Sequence, residues 1–214
     1  MRYLSTALAV EGSSDEDFLP PLLTRALDDL CARSDVPVEV ADVEVLPVPR
    51  PRRIDNVCAA ARERLDSLSM VFYHYDGTAD VDSARQQYWR PMAAKWQQLP
   101  GDRDLVPVVP VREMEAWALA DVEALREVVG SDWVRRSVFQ ADRLPDVERL
   151  EDPKLTLKKI CARGHGRRLD TPPAKQYLPR IAELISLEKL RAVPSFRQWS
   201  TDTVDALRRM RFLS

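Results

Sequence analysis

Long apolar runs are missing from this 214-residue chain. That removes the stretch of about 18 apolar residues a membrane span requires. The opening residues, Met1-Arg2-Tyr3-Leu4-Ser5-Thr6, lack a signal-peptide apolar region and cleavage site, so export is not expected. Cysteine is scarce: Cys31, Cys58 and Cys161 are widely spaced and form no CxxC or Cys/His cluster. Their odd number argues against a disulfide framework, and the missing cluster against zinc. Three reduced thiols in a cytoplasmic protein are the plain expectation. No GxxxxGK[ST] run occurs, which excludes a P-loop nucleotidase. Ser13 and Ser14 have no Ser/His/Asp pattern around them, and neither an internal repeat nor a low-complexity linker is present.

What the chain does have is the balance of a globular protein, 45% hydrophobic and 31% charged residues, enough for one sizeable core. Its net charge of −2 is unevenly spread. Residues 1–121 carry 13 Lys/Arg against 21 Asp/Glu, and residues 122–214 carry 19 against 13. An acidic half beside a basic half suits a cation-holding site next to a polyanion-binding surface, although a solvated surface also produces such asymmetry.

Apolar, β-branched segments alternate with helical periodicity through the first half. Residues 3–10, 36–48, 69–75 and 105–111 read as strands, and residues 14–32, 54–68 and 82–99 as helices. That alternation predicts parallel βαβ units in a three-layer α/β sheet of about four strands. Pro107 and Pro110 push the fourth strand towards an edge. After Glu113 only helices are expected, over 113–120, 122–129, 133–139, 154–163, 174–185, 187–192 and 195–210. Asp152-Pro153 and Thr171-Pro172-Pro173 are entry signals. The expected organisation is an α/β core over 1–121 and a basic, all-helical C-terminal extension over 122–214.

Ligands of a parallel sheet bind outside the carboxyl ends of its strands. Glu11 follows the first strand in "LAVEGSSDEDFL", Asp76 follows the third in "MVFYHYDGTAD", and Glu115 follows the fourth in "VPVREMEAWALAD". Three carboxylates from three strands are therefore expected at one edge. Local roles compete with this reading. Ser13-x-x-Glu16 is a capping box, and Glu16 and Asp17 suit a helix's first turn. Asp76-Gly77 is an ordinary turn pair, and Asp80 suits an N-cap. Glu11 has no such explanation. Crowded carboxylates repel one another, and a hard divalent cation held by oxygen ligands would relieve that.

Between Pro153 and Leu169 lie six basic residues and no acid: Lys154, Lys158, Lys159, Arg163, Arg167 and Arg168. That density suits phosphate neutralisation, with a solvated helix face and basic loop as the plainer alternative. His74 falls on the same side of its strand as Asp76 by alternation, and a satisfied, half-buried histidine is the simpler reading. His165 lies in the basic loop. Trp117 reads as a core anchor that directs Glu115.

The strand, Glu11-Gly12, Asp15 and helix, followed by a strand ending in Asp76, resemble the TOPRIM fold. Topoisomerases, bacterial primases, a maturase ribonuclease and the OLD (overcoming lysogenisation defect) nucleases share it. "VREMEAWALAD", "EDPKLTLKKI" and "AKQYLPRIAELISLEKLRAVPSFRQW" resemble an uncharacterised bacterial family of TOPRIM-like proteins related to OLD-type nucleases. Such proteins are often encoded beside OLD- or SMC-like ATPases in defence loci. The likeness runs over residues 3–199.

The resemblance implies a Mg²⁺- or Mn²⁺-dependent nuclease, an antiphage effector working with a separately encoded ATPase on nucleic acid. Glu11 matches the fold's glutamate, Asp15 a second acidic position, Asp76 the first aspartate of the DxD motif, and Glu115 the later acidic position. Lys154 matches the "DPK" lysine. Glu11, Asp76, Glu115 and Lys154 are thus the expected catalytic set, and Glu11, Asp15, Asp76, Asp80 and Glu115 the expected metal set. The second DxD aspartate is replaced by Thr78, with Asp80 as its substitute. That departure leaves open a non-catalytic subunit that binds an ATPase or nucleic acid. A homo-oligomer is possible, and no membrane partner is expected.

Overall fold

The structure, a computed structural model, describes residues 1–49, 53–101, 103–130, 146–164 and 174–214. The first apolar run divides into β1 (Arg2–Leu4) and β2 (Thr6–Ala9). The break falls at Ser5, whose N–H donates to Ser69 Oγ while its carbonyl accepts Ser69 N–H at 2.8 Å. Helix α1 (Ser13–Cys31) follows. The second run also divides, into β3 (Val38–Val40) and β4 (Glu44–Val45). Between them Val43 N–H leaves the ladder for Thr24 Oγ1, at 2.9 Å. Then come α2 (Ile54–Arg62), β5 (Met70–His74), α3 (Val81–Ala84), a π-helical turn (Arg85–Trp89), α4 (Arg90–Trp96) and β6 (Asp104–Val108).

The helix expected over 82–99 is thus wound in three pieces. Pro91 has no N–H to give the preceding turn, and Arg90 N–H reaches back five residues to the Arg85 carbonyl, which widens the helix locally. All strand pairs are parallel. β1 pairs with β3, and the larger sheet runs β4-β2-β5-β6. With the divided runs rejoined, the order is second, first, third, fourth. Among the described residues β6, which carries Pro107, pairs only with β5.

Alternation along these strands builds a core on each face of the sheet. Ala7, Ala9, Val71 and Tyr73 meet Val57, Cys58 and Ala61 of α2 and Met92 and Trp96 of α4. Leu4, Leu8, Met70, Phe72, Val106 and Val108 meet Phe18, Leu22, Leu23 and Leu27 of α1. Helix α1 continues through Pro20 and Pro21. An interior proline costs about 3 kcal/mol, whereas each buried leucine or phenylalanine contributes roughly 1.5–3 kcal/mol. Phe18, Leu19, Leu22, Leu23 and Leu27 are all fully buried, so packing decides the outcome. Cys31, Cys58 and Cys161 are free and buried.

After β6 come α5 (Glu115–Ala118), α6 (Val122–Val129), α7 (Pro153–Gly164), α8 (Leu178–Leu184), α9 (Leu187–Arg191) and α10 (Pro194–Arg209). The helix expected over 133–139 and the Thr171-Pro172-Pro173 entry signal lie outside the described residues. Among the described residues these C-terminal helices have no separate core. Leu157, Ile181, Leu190, Phe196 and Trp199 belong to the same apolar cluster as α1 and the sheet. Trp117 packs edge-on to Phe196, Phe196 against Trp199, and Trp199 against Phe72 of β5. Residue 121 therefore marks no break in packing. No helix among the described residues is long and apolar enough to cross a membrane.

Candidate active site

The strand order reverses between β2 and β5, and such a switch point opens a crevice at the carboxyl ends. Glu11 stands two residues beyond β2, and Asp76 two beyond β5. Glu115 opens α5 after the loop from β6. Asp15 arrives from the first turn of α1. Its role differs from the expected capping box at Ser13 and Glu16. Gly12 is the N-cap, and Asp15 Oδ2 accepts the Gly12 N–H at 2.6 Å. Asp15 therefore caps the helix while pointing into the sheet edge, where it is 7% exposed.

His74 sits among these groups, 1% exposed. Its Nδ1 lies 3.0 Å from the Val108 carbonyl. A carbonyl only accepts, so Nδ1 carries a proton and Nε2 is turned to the crevice. Nε2 stands 3.6 Å from Asp15 Oδ2 and 3.8 Å from Asp76 Oδ1, within ion-pair range but beyond a hydrogen bond. Among the described residues it has no hydrogen-bond partner.

The electrostatics couple the cluster. Burial pushes the Asp76 carboxyl up to about 7, with the charges of Asp15, Glu11 and Glu115 acting the same way against His74. Glu11 is raised, first by desolvation and then by Asp15, although its side chain reaches solvent. Glu115, 4% exposed, is raised by burial and by Glu113 and Asp15, while Lys154 opposes. Asp15 alone among the four is lowered. Burial works against its charge, but His74, the Gly12 N–H and Lys154 prevail. His74 is raised, because Asp15 and Asp76 outweigh its burial.

Lys154, at the start of α7, places Nζ 3.6 Å from Glu115 Oε1. Its own N–H donates to Glu113 Oε2 at 3.2 Å. Trp117 holds α5 from beneath, its Nε1–H donating to Ser195 Oγ at 2.7 Å. The strand-end loops are clamped together: Gly77 N–H donates to the Pro110 carbonyl and Arg112 N–H to the Thr78 carbonyl. A Cβ on Gly77 would meet Pro110 O at 2.7 Å, so only glycine fits. Thr78 and Arg112 both take positive φ, 52° and 64°, a conformation that costs a β-branched residue such as Thr of order 1 kcal/mol or more.

The structure thus brings Glu11, Asp15, Asp76, Glu115 and Lys154 together. Asp80 is not recruited. Its carboxylate caps α3, accepting Ser83 N–H at 3.1 Å. Lys158 and Lys159 are exposed on α7 with Lys154. Arg163 belongs to α7 by its backbone, while Arg167, Arg168 and His165 lie outside the described residues. His74 is what the sequence undervalued. Alternation gave its side of the strand but not its depth, nor its unsatisfied nitrogen.

The donor set is oxygen-rich, the chemistry of a hard divalent cation, and burial first and neighbouring carboxylates second raise Asp76, Glu11 and Glu115, a cost such a cation would relieve. Among the described residues, however, no three His, Cys, Asp or Glu side chains already stand at metal-holding spacing. Closing the site requires Asp76, whose side chain is 39% exposed, or Glu11 to turn inward.

Residues 10–202 match the family model described as "Domain of unknown function (DUF4276)", and the chain belongs to that family. No curated protein and no solved structure matches it.

Proposed function

We propose that this DUF4276 chain is a divalent-metal-dependent nuclease of TOPRIM-like architecture, cleaving phosphodiester bonds of nucleic acid. The observation that carries the reading is the set of four coupled carboxylates at the sheet's switch point, with Asp76 raised to about 7. Glu11, Asp15, Asp76 and Glu115 would hold Mg²⁺ or Mn²⁺. The chemistry a bound ion supplies there is activation of a water and stabilisation of the leaving oxygen. Lys154 faces the charge that develops on the phosphoryl group, while Lys158 and Lys159 neutralise the flanking backbone. The four-strand core with its helical extension is read as a TOPRIM-like scaffold for this site. The expected setting is cytoplasmic antiphage defence, alongside a separately encoded ATPase of OLD or SMC type, with self-association open.

The test is incubation of the purified chain with single- and double-stranded DNA and with RNA, in Mg²⁺, Mn²⁺ or EDTA, beside Glu11→Gln. Cleavage that needs metal and fails in the variant is the expected result. In the same samples, Lys158→Ala with Lys159→Ala should flatten the salt dependence of binding, by roughly 0.7–0.9 in slope per lost phosphate contact. A second reading is favoured by the donor spacing and by Asp80's capping role. It makes the chain a non-catalytic subunit that binds the ATPase or nucleic acid. Metal-independent binding with no cleavage in any lane, even with the ATPase added, would select it.

A further inference from the structure

We infer that His74 is a ligand of the metal site, donating its Nε2 lone pair, and that the site consequently selects Mn²⁺ over Mg²⁺. The inference rests on the metal-dependent reading above and goes beyond its all-oxygen donor set. Nε2 is a buried polar nitrogen without a hydrogen-bond partner among the described residues, and buried nitrogens are rarely left so. The other ring nitrogen is fixed on the Val108 carbonyl, an arrangement that sets the tautomer of metal-bound histidines. With Nδ1 donating to Val108, Nε2 is the nitrogen turned to the crevice, and it offers its lone pair once a cation entering between Asp15 and Asp76 displaces the proton those carboxylates favour there.

Spacing supports the same assignment. Two donors on one small divalent ion, at bonds of about 2.1 Å, stand roughly 3–4 Å apart. Nε2 lies 3.6 Å from Asp15 Oδ2 and 3.8 Å from Asp76 Oδ1, too far for hydrogen bonds and within the span of two co-ligands pair by pair, with Asp76 or Glu11 still to turn inward before three donors stand at metal-holding spacing. Asp15 is held against Gly12 N–H, so His74 and Asp15 form the fixed part of the site. Asp76 and Glu11, at the solvent side, are the ligands with freedom to complete it. Imidazole suits first-row transition ions, whereas Mg²⁺ favours oxygen and water.

The experiment is pulsed EPR on the Mn²⁺-loaded full chain with histidine alone labelled with ¹⁵N. Only His74 and His165 exist, and His165→Gln removes the second, so assignment does not depend on a His74 variant folding. A histidine nitrogen coupling to Mn²⁺ that persists in His165→Gln is expected. Mg²⁺ should displace the ion only at tenfold excess or more, and His74→Asn should weaken Mn²⁺ binding by at least about tenfold. Bound Mn²⁺ without histidine coupling, or displacement by equimolar Mg²⁺, overturns the inference and leaves the metal-dependent reading standing. Failure to bind Mn²⁺ at all overturns both.

Discussion

Burial pushes the Asp76 carboxyl up to about 7, and the carboxylates of Asp15, Glu11 and Glu115 push in the same direction while His74 pulls against them. A carboxyl whose folded pKa lies above its usual 3.8 binds its proton more tightly in the folded state. Its contribution to stability is fully present below about pH 4 and is lost as pH rises through 7. Asp76→Asn removes that loss. In EDTA the variant should melt a few degrees above the parent at pH 8, with the gap narrowing to nothing near pH 4. Divalent ions should raise the parent's melting temperature at pH 8 more than the variant's. Calorimetry across pH 4–8 checks this, and parallel curves for the two proteins would sink it. Glu11, Asp76 and Glu115 were legible in the sequence because parallel strands deliver their C-terminal residues to one edge. Asp80 instead takes the capping role that its sequence position also allowed, accepting Ser83 N–H.

Asp121 shows how single elements are joined. It caps α6 through Glu123 and Ala124 N–H, accepts Ser186 N–H at 3.0 Å ahead of α9, and meets Lys189 Nζ at 2.5 Å. Burial opposes its charge, yet Lys189 and these amides hold its carboxyl below the ordinary value. Truncation to alanine leaves those amides and Lys189 without their acceptor. The expected loss is about 3 kcal/mol, or a melting temperature lower by roughly 6–12 °C. Because the folded pKa is depressed, the gap between parent and Asp121→Ala is present above about pH 4 and closes as pH falls through the lowered value. A gap that is constant with pH would show that the charge is not its source. At this scale the strand and helix types were legible in their periodicities. The break at 41–43 was not, because it depends on Val43 meeting Thr24 on another element. Nor was the π-helical turn, where Pro91 acts on a carbonyl four residues earlier.

The acidic and basic halves of the chain interlock when it folds. Lys154 meets Glu115, Lys175 meets Asp17, Lys189 meets Asp121, Arg191 meets Asp29 and Arg209 meets Asp104. Arg25 of α1 donates to the carbonyls of Ala182 and Ile185. A charge asymmetry read along the sequence as two surfaces is thus partly neutralised between them, and the boundary expected at 121 runs through one core. Composition changes there, but packing does not: α8 lies on α1, α10 lies on β6, and Trp199 stacks against Phe72. A fragment of residues 1–121 would strip Trp117 of Phe196, Phe72 of Trp199, and α1 of the helix that lies on it. A fully buried side chain that is uncovered forfeits up to roughly 1.5–3 kcal/mol, so a few of them reach the 5–15 kcal/mol by which a folded protein is stable. The fragment is therefore expected to lack a cooperative thermal transition and slow amide exchange, both of which the full chain should show. A cooperative melt of the fragment, followed by circular dichroism, would mean that the α/β core stands alone. The carboxylate site would then owe the helical extension only Lys154, not the scaffold on which Glu115 and His74 are set.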